Sequence, residues 1–553
     1  MRIIDKYCKM NYRSYRDFKE RFVINVPERF NFAYDVVDEI AAKSPDKTAL
    51  VWCNDEGEEH FFSFGDMKTL SDKAANVLKD CGIGRGDRVM LTLKRRYEYW
   101  IITLALCKLG ATVIPATFLL TEKDFKYRFT AANVRMIITE DDDELCGYIA
   151  KAQAATGDIL RVKASLRERE GFLNFTEALE AASPDFERPT GEDAPENSDV
   201  MLMYFTSGTT GMPKMVTHDF TYPLGHIVTA GFWQNLQETD LHFTAADTGW
   251  AKCSWGKIYG QWICEAAVFA YDYGTRFKPQ DYLHLIEKYK ITTFCAPPTI
   301  FRFFIKEDLS QFDLSSLRAT YIAGEPLNPE VYKQWYQATG LKLREGYGQT
   351  ETCVLAATFP WLEPKPGSMG KPSPWFNIQL LDRDGRVCEP GEEGEVCVDM
   401  RLGRPAGLFI EYYQAEEKTA ECKYDGFYHT GDMAWADEDG YLWFIGRNDD
   451  VIKSSGYRIG PFEVESAMLE HPAVLETAIT AVPDPVRGQV VKATVVLARG
   501  YTPSEELKKE LQNHVKKATA PYKYPRIVEF VDELPKTSSG KIRRVEIRQR
   551  DSK

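Results

Sequence analysis

The run Tyr204-Phe205-Thr206-Ser207-Gly208-Thr209-Thr210-Gly211-Met212-Pro213-Lys214 sets three threonines, a serine, two glycines and a lysine between two apolar segments. The chemistry open to such a run is anion binding. Small residues let backbone N–H groups converge on a phosphate, hydroxyls add donors, and Lys214 supplies a mobile point charge. The spacing from Gly208 to Lys214 is GxxGxxK and Met215 follows, so the Mg²⁺-binding hydroxyl of the GxxxxGK[ST] loop is missing. Taken alone, the run is equally a polar surface loop. What separates the two readings is the set of polar motifs that follows: Ala323-Gly324-Glu325-Pro326, Glu345-Gly346-Tyr347-Gly348-Gln349-Thr350-Glu351-Thr352, Tyr428-His429-Thr430-Gly431-Asp432, Gly446-Arg447-Asn448-Asp449-Asp450 and Pro535-Lys536-Thr537-Ser538-Ser539-Gly540-Lys541.

The elements that must position these motifs read as α/β. The stretch Phe64 to Cys81 has helical amphipathicity and precedes the apolar strand Arg88 to Leu93; Tyr99 to Leu109 reads as a helix and Thr112 to Pro115 as the next strand. Asp141 to Glu144 reads as a solvated acidic turn, and the polar stretch Glu187 to Asp199 as a loop leading into the Ser/Thr/Gly run. Two strands, Ile291 to Ala296 and Ala319 to Ala323, each run into a sharp loop, and strand C-terminal ends of this kind favour ligands. From Asn377 to Trp443 the turn pairs Asp384-Gly385, Pro390-Gly391, Asp425-Gly426 and Asp439-Gly440 predict a mainly β portion. A smaller unit begins near Ile452, with helices at Pro461 to Glu470 and Ser504 to Thr519 and a strand at Val490 to Leu497.

With 553 residues, 44% of them apolar, the chain can fill more than one core. A net charge of −13 argues against a general nucleic-acid binder. No apolar run reaches membrane-spanning length and Met1 to Glu20 scatters its charges, so neither a membrane span nor a secretory signal is expected, and the location expected is the cytoplasm. The twelve cysteines form no CxxC pair and no His/Cys cluster at zinc spacing, which reads as reduced thiols without disulfides or structural zinc.

In their order, the six motifs resemble the adenylate-forming superfamily of acyl-CoA synthetases, luciferase and peptide-synthetase adenylation domains, from about Asp35 to the C-terminus, and most closely its short- and medium-chain acyl-CoA synthetases. The resemblance implies a large domain, residues 1–448, made of two doubly wound α/β subdomains and a β-barrel-like one. It implies a small mobile α+β domain, residues 449–553, hinged near Asp449. It implies ATP, Mg²⁺ and CoA: a small-molecule carboxylate attacks the α-phosphate to give acyl-AMP and pyrophosphate, and CoA then takes the acyl group.

By the same resemblance Thr206, Ser207, Gly208, Thr209, Thr210 and Lys214 take the β and γ phosphates, Glu351 the Mg²⁺ and Thr350 the α-phosphate. Tyr347 faces adenine, with Gly324, Glu325 and Pro326 on its other side, while Asp432 and Arg447 take the ribose. Lys541 serves adenylation, and Ser455, Gly456 and Arg458 serve the pantetheine arm and phosphate after the small domain rotates. The acyl pocket is implied at Trp250, Ala251, Lys252, Ala323 and Gly348. Acetyl-CoA synthetases carry Trp where this chain has Gly348, so glycine is expected to leave room for an acid larger than acetate, linear or branched. Two alternatives stay open: a ligase that loads an acyl-carrier protein, and a non-catalytic nucleotide-binding regulator. The presence of Lys541, Glu351 and Asp432 disfavours the second.

Overall fold

The computed structural model describes residues 1–206, 212–274, 277–455, 457–536 and 542–551, with the side chains of 158 and 458 outside the description. Ser207, Gly208, Thr209, Thr210, Gly456 and Lys541 therefore lie outside the described residues.

Two large sheets carry the N-terminal part, and their apolar strands are flanked by amphipathic helices, as expected where both faces of a parallel sheet are covered. In the nine-stranded sheet the strands Leu343–Tyr347, Ala319–Ala323, Thr293–Ala296, Leu241–Thr244, Ala267–Asp272 and Thr48–Asn54 run parallel in that spatial order, with antiparallel additions at both edges. The seven-stranded sheet places Arg88–Thr92 between Met136–Thr139 and Thr112–Pro115, followed by Val200–Thr206 and its antiparallel partner Lys214–Asp219. A five-stranded antiparallel sheet built around Glu393–Asp399 and Phe427–Ala436 curls into the barrel-like portion. The last sheet pairs the long strands Val474–Asp484 and Gly488–Leu497, under the helices Pro461–Leu469 and Glu505–Ala518. The turn 448–451 joins the curled sheet to this last one. The α/β class, the β portion and the small α+β unit thus stand as the motifs implied.

Helix ends follow local chemistry. Ser63 caps Phe64–Asp80 in a reciprocal box with Asp66, and Ser504 caps Glu505–Ala518 by accepting from the Leu507 N–H. The acidic turn expected at Asp141 to Glu144 is corrected. Asp142 accepts from the Leu145 N–H, and Asp143 and Glu144 form the first turn of a helix that runs to Thr156, where carboxylates favour the helix dipole. All twelve cysteines are free thiols. Among the described residues, no helix is long and apolar enough to cross a membrane.

Candidate functional site

The phosphate-type run joins the two strands that close the seven-stranded sheet. Thr206 ends one strand, Lys214 begins the other, and the two are register partners. Lys214 holds its ammonium 4.4 Å from the centroid of the Tyr412 ring, a cation–π contact, and the Tyr412 hydroxyl donates to Glu351 Oε1 at 2.8 Å. The segment carrying Tyr412 is fixed by backbone bonds from Ile410 N to Thr217 O and from Tyr413 N to Met215 O, and Phe409 N donates to the Glu351 carbonyl. One ring thus connects the lysine and the carboxylate to which the resemblance gives the triphosphate and its metal. Thr350 is held from behind. His218 donates Nε2–H to its carbonyl at 2.8 Å, and burial pushes the imidazole down to about 3, which keeps it neutral at physiological pH.

The second cluster gathers on Asp432. Tyr347, at the C-terminal end of its parallel strand, donates its hydroxyl to Asp432 Oδ2 at 2.6 Å, and Gln349 Nε2 donates to the same oxygen at 2.6 Å and to the Thr430 carbonyl at 2.9 Å. Tyr428 fixes the amide by donating to Gln349 Oε1 at 2.6 Å. Arg447, the register partner of Asp432, approaches its Oδ1 at 3.4 Å and Asp449 at 3.9 Å. The carboxylate expected to take the ribose is therefore buried, oriented and flanked by a guanidinium. Gly324 follows its strand with φ +99°, a left-handed conformation that a side chain would strain, and Glu325 accepts from the Thr299 hydroxyl at 3.0 Å.

Trp250 and the helix Ala251–Gly256 form a third group, seated by glycines at both ends. A Cβ on Gly249 would lie 2.5 Å from Thr117 N, and one on Gly256 would lie 2.1 Å from Thr244 Oγ1. Lys252 reaches across to donate to the Ala323 carbonyl at 2.7 Å, which joins two expected pocket residues. The reading of Gly348 is corrected. The room that its missing side chain vacates is filled by the Trp255 indole, whose Cη2 would lie 2.4 Å from a Gly348 Cβ and whose Nε1–H donates to Thr352 O at 3.2 Å.

Ser455 has φ +51° and accepts at its hydroxyl from Arg487 Nη1 at 3.0 Å; Arg458 lies on the short strand Tyr457–Ile459. The stems of the Lys541 loop are joined by a bridge between Lys536 and Ile542 and by Arg543 N donating to Pro535 O at 2.8 Å. Sequence reasoning missed Gln349, Tyr412 and His218. Gln349 stood inside a quoted motif and could have been found there; Tyr412 and His218 gave no local signal.

Glu345 opens the motif that holds Tyr347, yet its side chain is buried, with only a 3.4 Å contact from the Leu327 N–H and no partner for Oε2 among the described residues. Burial pushes this carboxyl up to about 8 from an ordinary 4.5. The folded protein then keeps a proton that the unfolded chain releases, so this contribution to stability is full below about pH 4.5 and is lost as pH rises through about 8. Glu345→Gln is expected to flatten the fall in stability across that window. Urea midpoints at pH 5 and pH 8 measure it, and equal falls in both proteins would refute the assignment.

Comparison with known proteins places these clusters in context. Residues 37–413 match the family described as AMP-binding enzyme, and residues 463–541 match the AMP-binding enzyme C-terminal domain. The chain is 45% identical over 552 residues to acyl-coenzyme A synthetase ACSM3, mitochondrial, of Mus musculus, covering 98% of this chain and 94% of that protein. It is 45% identical over 536 residues to acyl-coenzyme A synthetase ACSM5, mitochondrial, of Homo sapiens, covering 95% and 91%. Among solved structures, the anthranilate CoA ligase AuaEII in complex with anthranoyl-AMP superposes with a TM-score of 0.86 at 29% identity, covering 95% of this chain and 98% of that one. These relatives overturn the expected cytoplasmic location, because both named synthetases are mitochondrial. The physical reason is plain: a mitochondrial transit peptide carries no apolar core, so the lack of one at the N-terminus spoke only against secretion.

Proposed function

Because the chain belongs to the AMP-binding enzyme family and is an AMP-forming acyl-CoA synthetase of the medium-chain group, we propose that it activates a linear or branched acid of intermediate size through the following division of labour. ATP lies with its β and γ phosphates on Thr206 to Thr210 and Lys214 and its α-phosphate at Thr350. Adenine lies between Tyr347 and the Gly324-Glu325-Pro326 backbone, and the ribose hydroxyls bind Asp432 beside Arg447. Glu351 is the carboxylate for Mg²⁺. One protein carboxylate beside phosphates and water suits that ion, and the Tyr412 hydroxyl orients it. When bound, Mg²⁺ neutralises charge shared between phosphate oxygens.

The acid enters beside Trp250, Ala251, Lys252 and Ala323, with Gly348 and Trp255 forming one wall together. Its carboxylate oxygen attacks the α-phosphorus and pyrophosphate leaves. Lys541 neutralises the charge that develops in this step. The two bodies, 1–448 and 449–553, then turn about Asp449, withdrawing Lys541 and bringing up Ser455, Gly456 and Arg458 for the CoA thiol, which attacks the acyl carbon and releases AMP.

The observation that carries this reading is the oriented Asp432 cluster standing beside the Lys214–Tyr412–Glu351 chain. AMP and pyrophosphate release, measured with ATP, Mg²⁺ and acids from acetate to octanoate plus branched and aromatic acids, with and without CoA, tests it. The expected result is CoA-dependent AMP release with an optimum beyond acetate. Pyrophosphate exchange without CoA turnover would assign a carrier protein as acceptor, and an acetate optimum would refute the pocket.

A further inference from the structure

Outside the nucleotide and acyl clusters, the curled sheet brings three metal-ligating side chains onto one patch. Glu395 and Cys397 lie on the strand Glu393–Asp399, where alternate residues share a face, and His429 is the register partner of Cys397 on the neighbouring strand. Their donor atoms all lie within 4.8 Å of one another. Cys397 Sγ is 3.4 Å, and Glu395 Oε2 3.0 Å, from the same atom, His429 Nδ1. The assembly is already oriented. Glu395 uses its other oxygen to accept the Gly431 N–H at 2.8 Å, and Tyr424 stacks on the imidazole with centroids 3.7 Å apart and planes 5° apart. The far ring nitrogen, Nε2, is buried and has no partner among the described residues. Cys397 is buried, while His429 at 11% and Glu395 at 20% side-chain exposure leave a route for a small cation.

We propose that Glu395, Cys397 and His429 form a binding site for a divalent transition-metal cation of the Zn²⁺ type, with water as the fourth ligand. One thiolate, one imidazole and one carboxylate suit a borderline-soft ion; Mg²⁺ and Ca²⁺ prefer oxygen alone. Without metal, a single Nδ1–H faces both the Glu395 carboxylate and the Cys397 sulfur. A bound cation ionises the thiol. The proton balance is then fixed. The S–H proton leaves to solvent, and the Nδ1 proton moves to Nε2 so that Nδ1 can bind the cation. The sequence spacing 395, 397 and 429 fits no zinc-finger pattern, and only strand pairing brings the three together.

The test uses the full-length enzyme after chelator treatment, titrated with Co²⁺ alone. The expected result is one Co²⁺ per chain and a thiolate-to-cobalt charge-transfer band. Cys397→Ser is expected to lose the band while keeping AMP-forming activity, since among the described residues its sulfur meets His429, to which no part of ATP or the acid is given. Should that variant fail to fold, Glu395→Gln carries the test, with Co²⁺ affinity expected to fall by about tenfold. No band in the unaltered enzyme, a band that survives Cys397→Ser, or unchanged affinity in Glu395→Gln would overturn the site.

Discussion

Lys541→Ala is expected to lower acyl-adenylate formation by roughly 10²–10³-fold, the range for removing one preorganised group that stabilises transition-state charge. Thioester formation from supplied acyl-adenylate and CoA is expected to stay within a few-fold of the unaltered enzyme. The asymmetry follows from the two-step reading. On that reading the lysine is needed while negative charge builds on the α-phosphate and is carried away before the thiol attacks. Its loop is tethered at the base, through the Lys536–Ile542 bridge and the two 2.7–2.8 Å contacts from Lys536 Nζ to Glu476, so the substitution removes a charge without untying the stems. Separate assays of the two half-reactions check this. Equal loss in both would show that Lys541 acts through folding or through both steps.

Trp255→Ala is expected to move the preferred acid to longer chains. The indole fills the space beside Gly348, so removing it extends the pocket along that wall. Each additional CH₂ that becomes buried contributes about 0.8 kcal/mol, close to a fourfold gain in kcat/KM per carbon until the new space is full. The substitution also removes the Nε1–H bond to Thr352 and packing against Trp233, with centroids 6.4 Å apart, so a loss of about 3–5 kcal/mol in stability is expected as well. For that reason the ratio of kcat/KM between a long and a short acid is the quantity to measure, because it cancels any loss of folded enzyme. An unchanged ratio would remove Trp255 from the acyl wall. The complementary change, Gly348→Trp, is expected to disrupt the strand end rather than shorten the pocket neatly, since even a Cβ there meets Trp255 at 2.4 Å and the Cys353 carbonyl at 2.5 Å.

Much of the architecture was legible because it is written locally. Thr112–Pro115 reads as a short apolar strand and Ala319–Ala323 as a strand running into a sharp loop, and both strands form with the bounds read from the chain. Ser504 announces its helix, with glutamates following in the first turn. The motifs were legible because each is contiguous: Tyr347, Thr350 and Glu351 come from one stretch, and Asp432 from another. What stayed hidden depends on residues far apart in the chain. No spacing rule links Lys214 to Tyr412, or Trp255 to Gly348, because these contacts arise from the order of strands in space. The neighbour of Gly348 was hidden for this reason. A missing side chain defines a vacancy only once the neighbours are known, and here a tryptophan 93 positions earlier had taken it. Asp142 shows the reverse case: a run of four acids read as solvated charge, yet one carboxylate was a cap.

The glycines at 249 and 256 have an implication for how this enzyme could change its diet. With backbone pressed against Thr117 at one end and against the Thr244 side chain at the other, the short helix between them is closely seated at both ends. Descendants of this sequence would then acquire new acids by exchanging individual side chains along a closely seated rail, one volume at a time, and their preferences should follow the bulk at a few positions such as 255 while the scaffold keeps its shape.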